Sequence, residues 1–156
     1  MSARGEPTPA ERVRELLERV NEALALEAEV EVVEDGDHIR CVLHGEDMGL
    51  FIGRHGQTID AVQHLAFKVA AHGRSPAPRV EIDAAGYRER RRAALARQAE
   101  QAASDALRSS RPVALDAMSA TERKVVHEHL KDREDVETYS EGAEPDRHLV
   151  VAPLRA

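Results

Sequence analysis

The fold depends on the stretch from residue 49 to residue 59, Gly49-Leu50-Phe51-Ile52-Gly53-Arg54-His55-Gly56-Gln57-Thr58-Ile59. Its apolar residues lead into Gly-Arg-His-Gly, and a helical pattern begins immediately afterwards. Two glycines three residues apart let the backbone bend where side chains would collide. The start of the next helix supplies unpaired N–H groups and a partial positive charge, so together with Arg54 it forms a platform for phosphates. The alternative is an ordinary turn between helices, because Gly-x-x-Gly alone is a weak signal.

A helix and a hairpin are predicted before this stretch. Thr8-Pro9-Ala10-Glu11 resembles a helix start, with Thr as the cap, Pro at the first position and Glu three residues after the cap. Apolar residues at helical spacing continue this helix to about Leu26. Alternating segments around Val30 and over residues 39–43 predict strands, and Asp35-Gly36 between them is typical of a hairpin turn.

Helix and strand signals continue after the hairpin. Residues 47–52 predict a short helix that ends at Gly53, and the apolar spacing of residues 57–72 predicts a second one. Gly73 is placed to stop the second helix, and residues 79–83 predict a short strand. The predicted order is therefore α-β-β-α-(Gly-x-x-Gly)-α-β.

This order resembles the type II KH domain, found in bacterial and ribosomal RNA-binding proteins, over about residues 10–83. The resemblance rests on Ile52-Gly53-Arg54-His55-Gly56 at the junction where that fold has its loop. It implies RNA binding by Ile52, Gly53, Arg54, His55, Gly56 and Gln57, with Arg54 and N–H groups near Gln57 holding phosphates. An apolar groove of Ile52, Ile59 and Val62 would receive unpaired bases, although a core position is favoured for Val62 and equally open for Ile52.

Residues 86–110 predict a long helix rich in alanine. It carries an arginine cluster of Arg88, Arg90, Arg91, Arg92 and Arg97. The cluster is either a solvated face or a surface that attracts phosphates without sequence preference.

The last third of the chain predicts an extended segment, a helix and two strands. The extended segment is residues 112–115, and Ser119-Ala120-Thr121-Glu122 is a capping box that opens a helix to about Lys131. Val126 and Leu130 are four residues apart and can pack inward. Strands are predicted at residues 136–140 and 147–152, with a turn at residues 141–145.

The motif Glu122-Arg123-Lys124-Val125-Val126-His127, followed by residues 135–142 and Arg147, resembles the R-3-H domain. That domain is named for an Arg and a His separated by three residues. An isolated pair would more often be a histidine with a local hydrogen bond, but the longer string is more specific. The resemblance implies that Arg123 clamps phosphate, that His127 stacks or hydrogen-bonds, and that Lys124 and Arg147 assist.

A KH domain followed by an R-3-H domain resembles one family, the Jag proteins, also called SpoIIIJ-associated or KhpB-type, over about residues 10–152. The implied fold class is α+β, a type II KH domain (α-β-β-α-α-β) joined by a long helix to a small α/β R-3-H domain. We expect four divisions: a disordered N-terminus (1–8), the KH domain (9–84), a connecting helix packed into the second domain (85–111) and the R-3-H domain (112–153).

The family resemblance also implies a function. It indicates a cytoplasmic RNA chaperone or post-transcriptional regulator that binds single-stranded RNA with low sequence specificity and is linked to cell elongation and envelope homeostasis. A small KH protein is the implied partner. Some relatives carry an N-terminal Jag domain and a long linker, and we expect neither within this chain. Many have two basic residues in the loop, whereas this chain has Arg54-His55, and an ordinary histidine is mostly neutral at pH 7.

The net charge of −7 is unevenly distributed, so it does not exclude RNA. Residues 1–50 carry 5 basic and 13 acidic side chains, whereas residues 51–79 carry 4 basic side chains and 1 acidic one. Residues 86–111 carry 7 arginines and 3 acidic side chains.

The single cysteine, Cys41, lies in a strand pattern, and we expect it to be buried and inert in a reducing cytosol. Neither an apolar run of membrane-spanning length nor a signal peptide is visible.

No motif predicts catalysis, a metal site or a cofactor. His127-Glu128-His129 lacks the spacing that places two ligands on one helix face, and one cysteine is too few for a thiolate zinc knuckle. A metal held by histidines distant in sequence stays open. Two alternatives to RNA binding remain, an adaptor that binds a protein through the acidic first helix, and an RNA-processing enzyme.

Overall fold

The computed structural model describes residues 5–154, and the chain divides into two compact units, one ending at Arg88 and the other beginning at Glu89. Of the predicted N-terminal segment, residues 1–4 lie outside the described residues, and residues 5–8 belong to no helix or strand. Within residues 5–154, no helix is both long and apolar enough to cross a membrane.

The first unit has the predicted α-β-β-α-α-β order. Its elements are α1 (Pro9–Ala23), β1 (Glu29–Asp35), β2 (His38–His44), α2 (Gly49–Ile52), α3 (Gln57–Ala71) and β3 (Arg79–Ala84). A single 3-10 turn, Arg54–Gly56, separates α2 from α3. The sheet order is β1-β2-β3, with β1 antiparallel to β2 and β2 parallel to β3. This is the type II KH architecture, and it places the glycine turn between two helices.

Local signals explain where the first elements begin. Thr8 and Glu11 form the predicted capping box, in which the Thr8 hydroxyl accepts from the Glu11 N–H and the Glu11 carboxylate accepts from the Thr8 N–H. The helix ends at Ala23 instead of about Leu26, because Ala25 adopts a left-handed conformation (φ 53°) and the N–H groups of Ala25 and Leu26 donate to the carbonyls of Glu22 and Asn21. Residue Asp35 pairs with His38 across the hairpin, as the Asp-Gly signal predicts.

The core of the first unit is apolar and continuous. It is built from alternate strand residues and one face each of α1 and α3, and its largest fully buried side chains are Phe51, Leu17, Ile39, Leu43, Ile59 and Ile82. Cys41 belongs to the same cluster and is fully buried, as expected. Burial raises the pKa of the Cys41 thiol to about 11, partly offset by the positive charge of Arg14.

The second unit has a sheet and helices around its own core. The elements that follow β3 are α4 (Tyr87–Ser109), β4 (Val113–Ala114), α5 (Ala120–Leu130), β5 (Val136–Glu141) and β6 (His148–Pro153). The sheet order is β4-β6-β5, and both pairings are antiparallel. Val126 and Leu130 pack inward as predicted, together with alanines of α4 and with Val136, Leu149 and Val151 of the sheet. The first two residues of α4 fall in the first unit.

The predicted capping box at Ser119 forms only in part. The Ser119 hydroxyl accepts from the Glu122 N–H at 3.2 Å, as expected. The Glu122 carboxylate, however, accepts from Arg91, with Nε 2.6 Å from Oε1 and Nη2 3.3 Å from Oε2. A bidentate ion pair with an arginine is stronger than the second half of a cap, so Glu122 joins α5 to α4.

Candidate nucleic-acid interface

The glycine turn reverses the chain through three residues in unusual backbone conformations. Gly53 has φ 72° and ψ 178°, and both His55 (φ 53°) and Gly56 (φ 78°) are left-handed. Glycine adopts positive φ without a steric penalty, and histidine is among the few other residues that do so regularly. The turn therefore brings α2 directly into the first turn of α3.

Side chains at either glycine would collide with their surroundings. A Cβ atom at Gly53 would overlap the Thr58 hydroxyl and would lie 2.9 Å from the Thr58 amide nitrogen. A Cβ atom at Gly56 would lie 2.8 Å from Cε1 and 2.9 Å from the hydroxyl oxygen of Tyr87. Both glycines are thus required by close packing as well as by backbone angle.

Several amides of the turn already have partners inside the protein. The Gly53 N–H donates to the Gly49 carbonyl at 2.8 Å, the Gly56 N–H to the Gly53 carbonyl at 3.3 Å, and the Gln57 N–H to the Arg54 carbonyl. The Gly56 bond is longer than the usual range. The Gln57 N–H can therefore bind phosphate, as expected from the sequence, only if it first gives up its bond to the Arg54 carbonyl.

The side chains of the turn differ in exposure. Arg54 and Gln57 are exposed, and within residues 5–154 the Arg54 guanidinium has no hydrogen bond or ion pair. His55 and Ile52 are half-buried, and Ile52 packs against the edge of the core. The N-terminus of α3 has no side-chain cap, because Gly56 occupies the capping position.

The predicted base-binding groove needs correction. Ile59 is fully buried in the core, so its side chain cannot receive an unpaired base, whereas the 6% exposure of Val62 agrees with the core position favoured for it. Both are on the face of α3 that covers the sheet, and helical periodicity alone does not distinguish a core face from a groove wall. Of the three residues assigned to the groove, only Ile52 keeps an accessible surface.

Polar side chains that the sequence did not single out lie close to the turn. Asp60 and Gln63 of α3 bind the guanidinium of Arg88, with Nη1 2.9 Å from Asp60 Oδ1 and Nη2 2.9 Å from Gln63 Oε1. The only sequence signal for this group is the pair of polar residues three apart on α3. Arg88 was grouped with the arginine cluster of α4, yet its side chain belongs to the first unit.

In the second unit, Arg123 occupies a buried position. The residue is 8% exposed, and its Nη1 donates to the carbonyls of Met118 at 2.7 Å and Arg147 at 3.5 Å. Its Nη2 is 2.9 Å from Oε1 of Glu144, whose side chain is largely exposed. The guanidinium thus ties the start of α5 to the turn before β6.

The other predicted residues of this unit are accessible. His127 and Lys124 are exposed on α5, and Nδ1 of His127 shares a 2.5 Å hydrogen bond with Thr138 Oγ1 on β5. Arg147 is half-buried and donates to the Gly142 carbonyl at 2.6 Å. Arg123 and His127 are one helical turn apart as predicted, but only His127 faces solvent.

Charge on the exposed side of α5 is partly compensated. Lys131 donates a 2.7 Å hydrogen bond to Glu128, which lowers the pKa of that carboxyl group and raises the pKa of Lys131. Lys124 has no such partner within residues 5–154. Lys124 therefore offers a cation without a hydrogen-bonded carboxylate among residues 5–154, and His127 offers an exposed imidazole ring on the same helix.

The arginines of α4 do not act as one group. Arg88 and Arg91 are committed to Asp60, Gln63 and Glu122, as described above, whereas Arg92 is 70% exposed and 3.9 Å from Glu89. Arg97 is also exposed.

Among residues 5–154, no group of three or more His, Cys, Asp or Glu side chains is arranged to hold a metal ion.

Both units of the chain are similar to known protein domains. The family model described as the KhpA/KhpB KH domain matches residues 10–82, and the R-3-H domain model matches residues 93–153. An RNA-binding protein KhpB from Clostridium symbiosum is 36% identical over 155 residues, which cover 98% of this chain and 70% of that protein. The Bacillus subtilis (strain 168) RNA-binding protein KhpB is 30% identical over 149 residues, 94% of this chain and 72% of that protein. A third KhpB, from Lactiplantibacillus plantarum, is 43% identical over 104 residues, which cover only 32% of its length.

The fold and these matches define an RNA-binding protein in which a KH domain is followed by an R-3-H domain. More narrowly, the chain belongs to the KhpB family of RNA-binding proteins. The predicted fold class and family are confirmed.

Proposed function

We propose that this chain binds single-stranded RNA through two surfaces, the glycine turn of the first unit and the exposed side of α5 in the second. The observation that carries the proposal is the exposed Arg54 guanidinium, unpaired within residues 5–154, beside a helix N-terminus that has no side-chain cap. A helix of 15 residues carries partial positive charge at that end, and phosphate is a suitable ligand for it.

In the first unit, the residues proposed to meet RNA are Ile52, Gly53, Arg54, His55, Gly56 and Gln57. The two glycines let the nucleic-acid backbone approach, and Arg54 binds phosphate. The Gly56 N–H has a long internal bond but belongs to a buried residue, so a phosphate oxygen would reach it only if the turn opens. Ile52 offers an apolar surface to a base.

In the second unit, Lys124, His127, Arg123 and Arg147 are proposed to act together. Lys124 is an open point charge, and His127 can stack on a base or donate to phosphate. Arg123 can clamp phosphate only if the exposed Glu144 carboxylate leaves its Nη2, while Nη1 stays on the Met118 carbonyl. Phosphate contacts read no sequence, so we expect low sequence specificity.

The test is filter binding of unstructured RNA to the wild type and to a variant with both Gly53→Asp and Gly56→Asp. We expect a loss of affinity of at least about tenfold, because each change adds a Cβ where there is no room and a negative charge beside phosphate. Arg54→Ala is the milder control, since that exposed side chain has no structural partner within residues 5–154. Unchanged affinity in both variants would contradict the role of the turn.

The remaining parts of the proposal extend the same function. We propose a KH domain at residues 9–84, a connecting helix at 85–111 and an R-3-H domain at 112–153. We also propose a cytoplasmic RNA chaperone or regulator linked to cell elongation and envelope homeostasis, without catalytic activity, and with a small KH protein as partner. The annealing rate of two labelled complementary RNAs, with and without the protein, tests the chaperone activity. Co-purification with and without nuclease tests the partner.

A second candidate function is that of a protein-binding adaptor. The exposed side of α1 carries four glutamates, Glu11, Glu15, Glu18 and Glu22, which suit a basic protein surface. A partner that is retained after nuclease treatment, and that is released when these glutamates are changed to glutamine, would favour the adaptor over the RNA-binding function.

A further inference from the structure

The strand β3 lies at the edge of its sheet, yet the outward groups of its Ile82 are hydrogen-bonded. The Ile82 N–H donates to Gln63 Oε1 at 2.9 Å, and the Ile82 carbonyl accepts from Arg88 Nε at 2.7 Å. Edge strands normally leave such groups to solvent or to another strand. Here two side chains, one from α3 and one from the start of α4, take the place of a neighbouring strand.

One guanidinium holds this arrangement together. Arg88 uses Nε for Ile82, Nη1 for Asp60 and Nη2 for Gln63, all at 2.7–2.9 Å. The Arg88 peptide N–H donates to Asp83 Oδ1 at 3.2 Å, so the backbone of this residue is also held. Its side chain is 30% exposed. Only the planar fork of arginine can serve three acceptors in this geometry.

The same contacts reach the glycine turn. Asp60 stands in the first turn of α3, shortly after Gly56 and Gln57. Tyr87, the residue before Arg88, has its ring against Gly56, so close that a Cβ atom would not fit. Residues 87 and 88 therefore fix the first turn of α3 from two sides.

Arg88 also neutralises an unfavourable charge. Asp60 is the acidic residue in the first turn of α3, and an unpaired carboxylate there would repel a phosphate bound at the turn. With Nη1 of Arg88 2.9 Å away, its charge is compensated. Loss of Arg88 would loosen the turn and expose this negative charge.

We propose that Arg88 is a positioning residue for RNA binding, which fixes the start of α3 to the edge of β3 so that Arg54 and the glycine turn are presented in one geometry. Arg88 acts through Gln63 and Asp60 and does not itself touch RNA. The inference rests on the proposed function of the turn.

The experiment measures RNA affinity and its salt dependence by fluorescence anisotropy for Arg88→Ala, Arg88→Lys and Gln63→Ala. Gln63→Ala is charge-neutral, so it removes the shared acceptor without altering attraction to RNA. We expect affinity to fall about tenfold in Arg88→Ala and a few-fold in Gln63→Ala, because small displacements of a binding group are costly. In Gln63→Ala the salt slope stays at the wild-type value, since no phosphate contact is lost. Arg88→Lys keeps the charge but not the fork, so it does not restore affinity.

The matched control is Arg92→Ala, which removes one arginine from the same helix at a position that is 70% exposed. Its affinity should stay within about twofold of the wild type, because a single exposed charge contributes little. Hydrogen exchange of the Ile82 amide shows that the contact has been removed, since this N–H loses its acceptor in Gln63→Ala. Circular dichroism shows that each variant is folded, and Gln63→Ala keeps the test decisive if Arg88→Ala does not fold.

Three outcomes overturn the inference. The first is wild-type affinity in Gln63→Ala despite faster exchange at Ile82. The second is full rescue by Arg88→Lys, which would make charge alone sufficient. The third is an effect of Arg88→Ala no larger than that of Arg92→Ala. If the double glycine variant loses affinity while these variants keep it, the inference alone fails. If the double glycine variant also binds normally, the proposed function fails and the inference falls with it.

Discussion

Two arginines from the two motifs, Arg54 in the glycine turn and Arg123 on α5, have opposite surroundings. Arg54 is exposed and has no partner within residues 5–154, so it is free to meet phosphate from solution. Arg123 is nearly buried, and its guanidinium already binds two carbonyls and the Glu144 carboxylate. One motif therefore presents an open cation, and the other presents a cation that must first release a partner.

This difference shows that a sequence motif can identify a domain without showing the role of each residue in the motif. Desolvating a guanidinium is costly, and the cost is tolerated only where several acceptors surround the group. Arg123 has such acceptors and therefore contributes to the stability of its unit. Arg54 has none among residues 5–154, so its removal should weaken RNA binding and leave stability unchanged.

The largest expected effect is on stability. Arg123→Ala should lower the free energy of unfolding of the second unit by about 2–3 kcal/mol, because charged hydrogen bonds at a buried site are lost and carbonyls are left unpaired. Arg54→Ala should change it by less than about 0.5 kcal/mol. Urea denaturation of both variants measures the contrast. Equal free energies of unfolding in the two variants would contradict the structural role assigned to Arg123.

The next effect is on RNA affinity and its salt dependence. Arg54→Ala should weaken binding of single-stranded RNA about tenfold and reduce the slope of log affinity against log salt by about 0.7, because one phosphate contact is lost. Titrations at several salt concentrations measure both quantities. A weaker affinity with an unchanged slope would mean that Arg54 shapes the turn without touching phosphate.

A smaller effect tests whether Arg123 can become available. Glu144→Gln removes the charge that holds Nη2 of Arg123, so RNA should bind about two- to threefold more tightly if phosphate takes its place. The comparison is with Glu141→Gln, an exposed glutamate of β5 whose imidazole partner, His148, lies 3.6 Å away. Weaker binding in Glu144→Gln would identify Arg123 as a structural residue only.

The smallest expected effect is on the stability of the fold at acid pH. Arg133 donates hydrogen bonds to both carboxylate oxygens of Asp135, at 2.8 Å and 2.6 Å, and this lowers the pKa of Asp135 from its usual 3.8. The folded state then binds the proton less tightly than the unfolded state, so the pair stabilises the fold above about pH 4 and loses this contribution as the pH falls further. Asp135→Asn should flatten the acid side of the stability profile slightly, because the two side chains are partly exposed to solvent, Arg133 by 32% and Asp135 by 45%. A steeper profile in the variant would contradict this sign.

The elements could be predicted from the sequence because their signals act over a few residues. Thr8 and Glu11 cap α1, Asp35-Gly36 turns the hairpin, and the glycine turn separates α2 from α3. Predicted ends shifted by only a few residues. The last strand, for example, runs from His148 to Pro153, one residue later than expected.

The roles of individual side chains could not be predicted, because their partners are distant in sequence. Arg88 binds residues 25 and 28 positions away, and Arg91 binds Glu122 31 positions away. Helical spacing showed which residues share a face, but it did not show that Ile59, assigned to a base-binding groove on the family resemblance, is covered by the packing of α3 on the sheet. Burial, which the sequence does not state, separates Arg54 from Arg123.

The buried Cys41 gives this chain a natural reporter. It is the only cysteine in the sequence, and it lies in the core of the first unit. Because burial raises the pKa of its thiol to about 11, little of the reactive thiolate exists at pH 8, and alkylating reagents have no access to it in the folded state. The rate of alkylation therefore reports the opening of the first unit, while unfolding of the second unit is silent in the same measurement. A global melting curve would combine the unfolding of both units. Alkylation of Cys41, measured by mass spectrometry, follows the first unit alone and needs no engineered label.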